Sequence, residues 1–386
     1  MDVEFDTIID RATSGALTDE EIAALAERLA ASGERLPMSD LAADLASTGG
    51  PGSLSTMWGP AALVALGCSV PKLGVPGRPA GGVDSLAQVP GYRVQFDRVG
   101  VEAVLDRCRY VHVVAGTQFA PADAAFFAHR QRVGAQSVPA LAIASLLSKK
   151  LAMGVQTVGL EVRVAPHGNF GATPAEASEN ARRFCRVASL VNVTATCFLA
   201  DGTAPQQPYL GRGEALLALS LLFAGKASGW LERHAAVCEA WAATLVRPRR
   251  PSRLALAHAF ASNLSAQGGS VDGLEEVATR VARGHCRVVA AERGGIVEYD
   301  LGRLRSAITT TRIPDTAGNF DDSAGAILLA EPGRPVLRGD ALISARCPDD
   351  AWPAFAAGLA EAVSFAGSEE RDNSDRLAGT LEVVRV

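Results

Sequence analysis

Val158-Gly-Leu-Glu-Val-Arg-Val164, Pro174-Ala-Glu-Ala-Ser-Glu-Asn-Ala-Arg-Arg-Phe-Cys-Arg-Val-Ala-Ser-Leu-Val191 and Asn192-Val-Thr-Ala-Thr-Cys-Phe-Leu-Ala200 decide the fold class. The first and third runs read as strands, and the middle run reads as a helix opened by proline. Another apolar helix, 213–225, follows. Strands alternating with helices predict an α/β domain. Upstream, 109–115 (RYVHVVA) reads as a buried strand, and 57–70 (MWGPAALVALGCSV) as a helix running into a strand. Residues 17–32 form an amphipathic helix with Leu17, Ile22, Leu25 and Leu29 on one stripe. Thr18 is its N-cap and Glu21 completes a capping box. Two more helices, 121–130 and 139–152, each begin at proline. The last hundred residues change character: 291–300 and 339–347 are short β segments, and 349–367 reads as a helix.

This pattern predicts a small helical domain (1–38 with 121–153) and a larger α/β domain with a mixed sheet (39–120 with 154–284). A C-terminal α+β subdomain (285–386) completes the expected division. The composition, 48% hydrophobic and 20% charged over 386 residues, is that of an ordinary globular enzyme and excludes disordered and fibrous classes. A net charge of −5 without a basic stripe points to a small-molecule partner and away from nucleic acid. Seven cysteines without CxxC spacing read as reduced thiols of a cytoplasmic protein, with neither disulfide nor metal. The start lacks a signal-peptide pattern, and Arg212 and Glu214 interrupt the apolar run 207–225, so no membrane span is expected.

Three stretches carry a family resemblance. The first is Asp44-Leu-Ala-Ser-Thr-Gly-Gly-Pro-Gly52, beside a family pattern Asp-Lys-His-Ser-Thr-Gly-Gly-Val-Gly. The second is 70–92, with glycine-rich turns and a closing Pro-Gly-Tyr. The third runs from Ala-Pro-Ala-Asp at 120–123 through Ser-Val-Pro-Ala to Ala-Ser-Leu-Leu-Ser-Lys-Lys at 144–150. In order, they resemble the thymidine and pyrimidine-nucleoside phosphorylases. The resemblance implies a cleft between the helical and α/β domains, with base on the former and phosphate on the latter. It implies a glycosyltransferase acting on the N-glycosidic bond of a pyrimidine nucleoside or related compound. Phosphate is then a co-substrate and no other cofactor is needed. A homodimer is expected, although the amino-terminal helical region that often contributes to it is shorter here.

Arg130, Ser145 and Lys149 match the family's base-holding Arg, Ser and Lys, and Phe127 matches a ring-contacting Tyr. The chemistry agrees independently. A uracil-type edge presents acceptor, donor and acceptor, which an Arg fork, a hydroxyl and an ammonium complement. Ser145 and Lys149 are i and i+4, so they share a helix face. Arg130 and Lys149 are the candidate catalytic residues, stabilising charge that grows on the leaving base. Lys149-Lys150 also reads as a solvated helix end. Against that, the chain has only four lysines, Lys72, Lys149, Lys150 and Lys226.

Ser47, Thr48, Gly49, Gly50, Ser55 and Thr56 are the candidate phosphate ligands, with Arg78 as the nearby cation. Glycine turns let amides approach an anion. The family's phosphate Lys and neighbouring His are Leu45 and Ala46 here, which predicts reduced or altered phosphate use. His129 reads as a helix-surface residue and His112 as a packed strand residue. His167 is a minor candidate for the cleft, and Glu214 lies near a family glutamate linked to a monovalent cation. Alternative readings are a nucleoside hydrolase, a non-catalytic pyrimidine-binding protein and an enzyme like anthranilate phosphoribosyltransferase. The last ranks lowest, because Pro51 follows Gly49-Gly50.

Overall fold

The computed structural model describes residues 2–37, 41–77, 79–166, 168–246, 249–313, 315, 319–366 and 380–385. Two helices open the chain, α1 (Asp2–Thr13) and α2 (Asp19–Ala30). The Thr18 hydroxyl accepts from the Glu21 amide, and the Glu21 carboxylate accepts from the Thr18 amide. This reciprocal box satisfies two amides at the start of α2. β1 (Ala43–Ser47), α3 (Ser55–Ala65), β2 (Val70–Gly74), α4 (Gly82–Leu86), α5 (Arg98–Cys108) and β3 (Tyr110–Val114) follow. Two proline-opened helices come next, α6 (Pro121–Arg132) and α7 (Pro139–Ala152). Then β4 (Thr157–Val164), α8 (Pro174–Leu190) and β5 (Thr194–Asp201) realise the strand–helix–strand pattern of the sequence.

β1, β4 and β5 pair in parallel, as do β2 and β3. A parallel bridge between Ala42 and Ser69 joins the two groups. On one face, Ala46, Val158, Leu160 and Val162 share a core with Leu25 and Leu29 of α2 and Leu141 and Leu147 of α7. On the other face Leu45 packs with Trp58 and Leu63 of α3. Each helix thereby buries its apolar stripe against a sheet face. β6 (Tyr209–Leu210), α9 (Arg212–Phe223), α10 (Gly229–Val246), α11 (Arg253–Ala266) and α12 (Val271–Gly284) extend the α3 side.

The remaining elements are β7 (Arg287–Ala290), β8 (Gly295–Tyr299), α13 (Leu301–Thr311), β9 (Gly325–Leu328), β10 (Pro335–Val336), β11 (Ala341–Arg346), α14 (Trp352–Glu361), β12 (Val363–Ala366) and β13 (Thr380–Val384). β7 to β12, with β6, form two antiparallel sheets, ordered β10-β8-β12 and β6-β9-β11-β7. Two details differ from the sequence reading. The helix expected over 349–367 ends at Glu361, and Val363–Ala366 pairs antiparallel with β8. A Val-Ser-Phe segment favours a pleated surface over a helix end. Thr380–Val384, in the range assigned to the C-terminal subdomain but not read as a strand, pairs antiparallel with β5 and makes the main sheet mixed. No helix among the described residues is long and apolar enough to cross a membrane.

Candidate functional site

A cleft of about 300 Å³ lies at the carboxyl ends of β1 and β2, walled by α6 and α7. Loops at strand ends are where α/β folds leave unpaired backbone groups and room for ligands.

On the helical wall, Arg130, Ser145 and Lys149 are buried and line the cleft together with half-buried Phe127. Lys149 Nζ donates to Ser145 Oγ at 2.9 Å and to Ser145 O at 2.7 Å. It also pairs with Asp123 Oδ2 at 2.5 Å. Asp123 comes from the first turn of α6, is fully buried, and its Oδ1 has no hydrogen-bond partner among the described residues. It lies within the Ala-Pro-Ala-Asp motif, yet no role was assigned to it from sequence. Burial pulls the Lys149 pKa below the ordinary lysine value, with Asp123 pushing back. The Arg130 fork donates to three carbonyls, Ala135 (3.3 Å), Gln136 (2.9 Å) and Leu141 (3.2 Å). Arg130 thus braces the α6–α7 turn as well as lining the cleft. Burial brings its pKa down to about 10 despite Asp123.

On the strand-end wall, Ser47, Thr48, Gly49, Gly50, Ser55 and Thr56 all line the cleft. Gly49 and Gly50 have φ of 94° and 115°, a region that disfavours side chains. Ser47 and Thr48 accept from backbone amides and keep their O–H groups, whereas Ser55 donates inward. Ser47 Oγ accepts from the Gly49 amide (3.1 Å), and Thr48 Oγ1 from the Arg163 amide (3.0 Å). Ser55 Oγ donates to Glu161 Oε2 at 2.6 Å, and Ser53 Oγ does so at 3.0 Å. Glu161, on β4, is fully buried and draws these donors because a buried carboxylate must be satisfied. Ser55 is therefore a ligand of Glu161 rather than the free anion donor expected from sequence. Arg163 Nη1 stands 3.5 Å from Glu161, Nη2 donates to Pro51 O (3.1 Å), and Nε has no partner among the described residues. Leu45 is fully buried against Gly59 of α3, away from the cleft lining. Arg78 and His167 lie outside the described residues.

Two lysines that line the cleft and the buried carboxylate behind them were missed as a group. Asp44 on β1 is fully buried between Lys72 of β2 (2.6 Å) and Lys150 of α7. Burial pushes the Asp44 carboxyl up, but Lys150 and Lys72 overcome this and hold it well below the carboxylate range. Burial brings Lys72 down to about 8, against the pull of Asp44. His112, expected as a packed strand residue, is buried beside Lys72 and also lines the cleft. The available signal was one lysine inside the apolar strand Val-Pro-Lys-Leu-Gly. Arg305 of α13 reaches the cleft from the C-terminal part. Glu214 is paired with Arg346 (2.6 Å) and His285 (2.9 Å), tying α9 to β11. His129 is buried rather than on the surface, and bonds Asp6 at 2.7 Å.

No protein-family profile matches the chain. It is 30% identical over 338 residues to thymidine phosphorylase of Burkholderia orbicola (strain MC0-3), covering 81% of this chain and 76% of that one. It is 26% identical over 378 residues to thymidine phosphorylase of Mycobacterium tuberculosis (strain CDC 1551 / Oshkosh), covering 89% and 86%. A third match, 33% identical over 192 residues to the Rhizobium meliloti (strain 1021) enzyme, spans 43% of that relative's length. Among solved structures, anthranilate phosphoribosyltransferase from Thermus thermophilus is similar at a TM-score of 0.47 and 15% identity, over 73% of this chain and 96% of that one. The α/β cleft and the phosphorylase relatives define a protein of the pentosyltransferase class. The chain belongs to the thymidine phosphorylase family.

Proposed function

We propose that this protein transfers a pentosyl group from a pyrimidine nucleoside, and that it uses phosphate weakly as the acceptor. The carrying observation is the buried Arg130–Ser145–Lys149 group on one wall of a cleft whose other wall is a glycine-rich loop. Arg130 and Lys149 face the base edge, and Ser145 donates to or accepts from it. The acceptor oxygen attacks the anomeric carbon as its bond to the ring nitrogen breaks. The bonding pair leaves on the base. Cations fixed in a dry site stabilise that growing anion more than the neutral substrate. Asp123 is a positioning residue that keeps the Lys149 ammonium charged.

Weak phosphate use is supported by Ser55, whose hydroxyl donates to Glu161 instead of the cleft, and by the core placement of Leu45. Losing one charged partner of a dianion in a buried site removes ~2–5 kcal/mol of binding. That corresponds to roughly two to four powers of ten in rate. The same observation favours water as the second acceptor, which would make the protein a nucleoside hydrolase. The test is incubation with uridine, thymidine and deoxyuridine, with and without phosphate, following free base. Release that saturates at micromolar phosphate overturns weak use. Release unaffected by phosphate assigns water. No release from any nucleoside, with uracil still bound, leaves a pyrimidine-binding protein.

A further inference from the structure

We propose that Lys72 is the acceptor-side cation of the cleft, binding the attacking oxyanion with Lys150 behind it and His112 beside it. The proposal takes only the anion's role as acceptor from the reading above.

The argument begins with charge. Lys72 and Lys150 share the single carboxylate of Asp44, one ammonium on each oxygen. Two cations against one anion leave one positive charge uncompensated on a buried floor. A buried, unbalanced charge is costly unless a ligand completes it. Lys72 Nζ has three N–H donors. One goes to Asp44 Oδ1 at 2.6 Å and one to Leu45 O at 2.7 Å. The third has no protein partner among the described residues, and Lys72 lines the cleft.

The neighbour is suited to the same ligand. His112 sits opposite Lys72 in the β2–β3 register. Burial and the Lys72 charge push its pKa well below the ordinary value, so the ring is neutral. Tyr110 Oη lies 3.2 Å from His112 Nδ1. Burial keeps that phenol protonated, and in the proposed tautomer it donates to Nδ1 and the ring proton sits on Nε2. Nε2 borders Gly74, where an added Cβ would stand 3.1 Å away. The glycine leaves the N–H edge clear. A tetrahedral oxyanion such as phosphate would then meet an ammonium, an imidazole N–H and the amides of the glycine turns. The loop from Ser47 to Ser53 has no charged side chain of its own.

The groups facing Lys72 are Asp44 on β1, Lys150 on α7 and His112 on β3. Burial brings Lys72 down to about 8, so anion binding should weaken as pH rises through that value.

The experiment titrates inorganic phosphate and, separately, uracil into the wild type, Lys72→Met and Lys72→Arg by calorimetry, with thermal melting of each. Asp44 keeps Lys150 in Lys72→Met, so the fold should hold. Expected are millimolar phosphate binding in the wild type and a loss of about ten-fold or more in Lys72→Met, the range for removing one buried charge partner. Uracil affinity should be unchanged, with partial rescue of phosphate binding in Lys72→Arg. Unchanged phosphate affinity in Lys72→Met, or no phosphate binding by the wild type, overturns the proposal. Should Lys72→Met fail to fold, the wild-type titration from pH 7 to pH 9.5 decides: a decline supports Lys72, and a flat profile overturns it. Wild type that binds phosphate but not uracil sinks the base-site reading and leaves the Lys72 assignment standing.

Discussion

Lys149 carries its charge in a place where burial opposes it, and among the described residues Asp123 and Ser145 offset that cost. Lys149→Ala should abolish pyrimidine binding in calorimetry with uracil, because the charged donor at the base edge is gone. Unchanged affinity would remove Lys149 from the site. Asp123→Asn is the subtler change. The carboxylate raises the Lys149 pKa, while burial, Lys150 and Arg130 lower it. The charged form binds the base, so binding falls as pH rises through the lysine pKa. Removing the carboxylate lowers that pKa further, and the alkaline limb of kcat/KM should move to lower pH. A limb that stays in place would mean Asp123 acts only in packing. Arg130→Lys should fail to rescue Arg130→Ala. A point charge cannot bridge the carbonyls of Ala135, Gln136 and Leu141 as the planar fork does. Hydrogen bonds from charged groups are worth about 1.5–3 kcal/mol each, so both variants should melt lower than wild type. Near-native activity and melting of Arg130→Lys would reduce Arg130 to a general positive charge.

At the scale of elements, the loop between β1 and α3 is shaped by what lies behind it. Ser55→Ala removes one donor from buried Glu161, which keeps Ser53 and Arg163. Stability should fall by about 1–3 kcal/mol with little change in phosphate KM. A large rise in KM with unchanged melting would return Ser55 to the anion site. Leu45→Lys with Ala46→His should not gain phosphate-dependent cleavage, because Leu45 packs on Gly59 and Trp58 in the core. A lysine there enters an apolar core and is expected to lower the melting temperature. A ten-fold gain in cleavage, ~1.4 kcal/mol, would show that the loop retains an anion geometry. Local chemistry made much of this legible in advance: the α2 capping box, the proline-opened α6 and α7, and the Ser145–Lys149 spacing are all short-range patterns. The Asp44 floor was not, since Lys72 lies 28 residues away and Lys150 lies 106. No periodicity reports such a pairing. Nor did any local signal place Thr380–Val384 beside β5, since an edge strand reads the same in either sheet.

For the molecule as a whole, Arg212 links the second glycine turn to the C-terminal part. It is fully buried at the start of α9. Its Nε donates to Asp84 Oδ2 at 2.6 Å, and its Nη atoms grip Asp315 (2.6 and 2.5 Å) and Asp321 O (2.7 Å). Asp84 in turn accepts from the Gly77 and Gly81 amides, so its carboxylate sets the turn that borders the cleft. Arg212→Met keeps the volume and removes the charge. Fully buried Asp84 is then left with backbone donors alone, and breaking a buried pair in this way costs about 3–5 kcal/mol. The melting temperature should drop. Asp84→Asn in the Arg212→Met background should recover part of it, because the neutral amide no longer demands a cation. The same double variant should still show weaker phosphate binding than wild type, since an amide cannot hold both glycine N–H groups as a carboxylate does. Uracil binding, set by α6 and α7, should be unaffected. If instead Arg212→Met melts like wild type, the turn is held by its own backbone, and the C-terminal part has no hold on the acceptor side of the cleft.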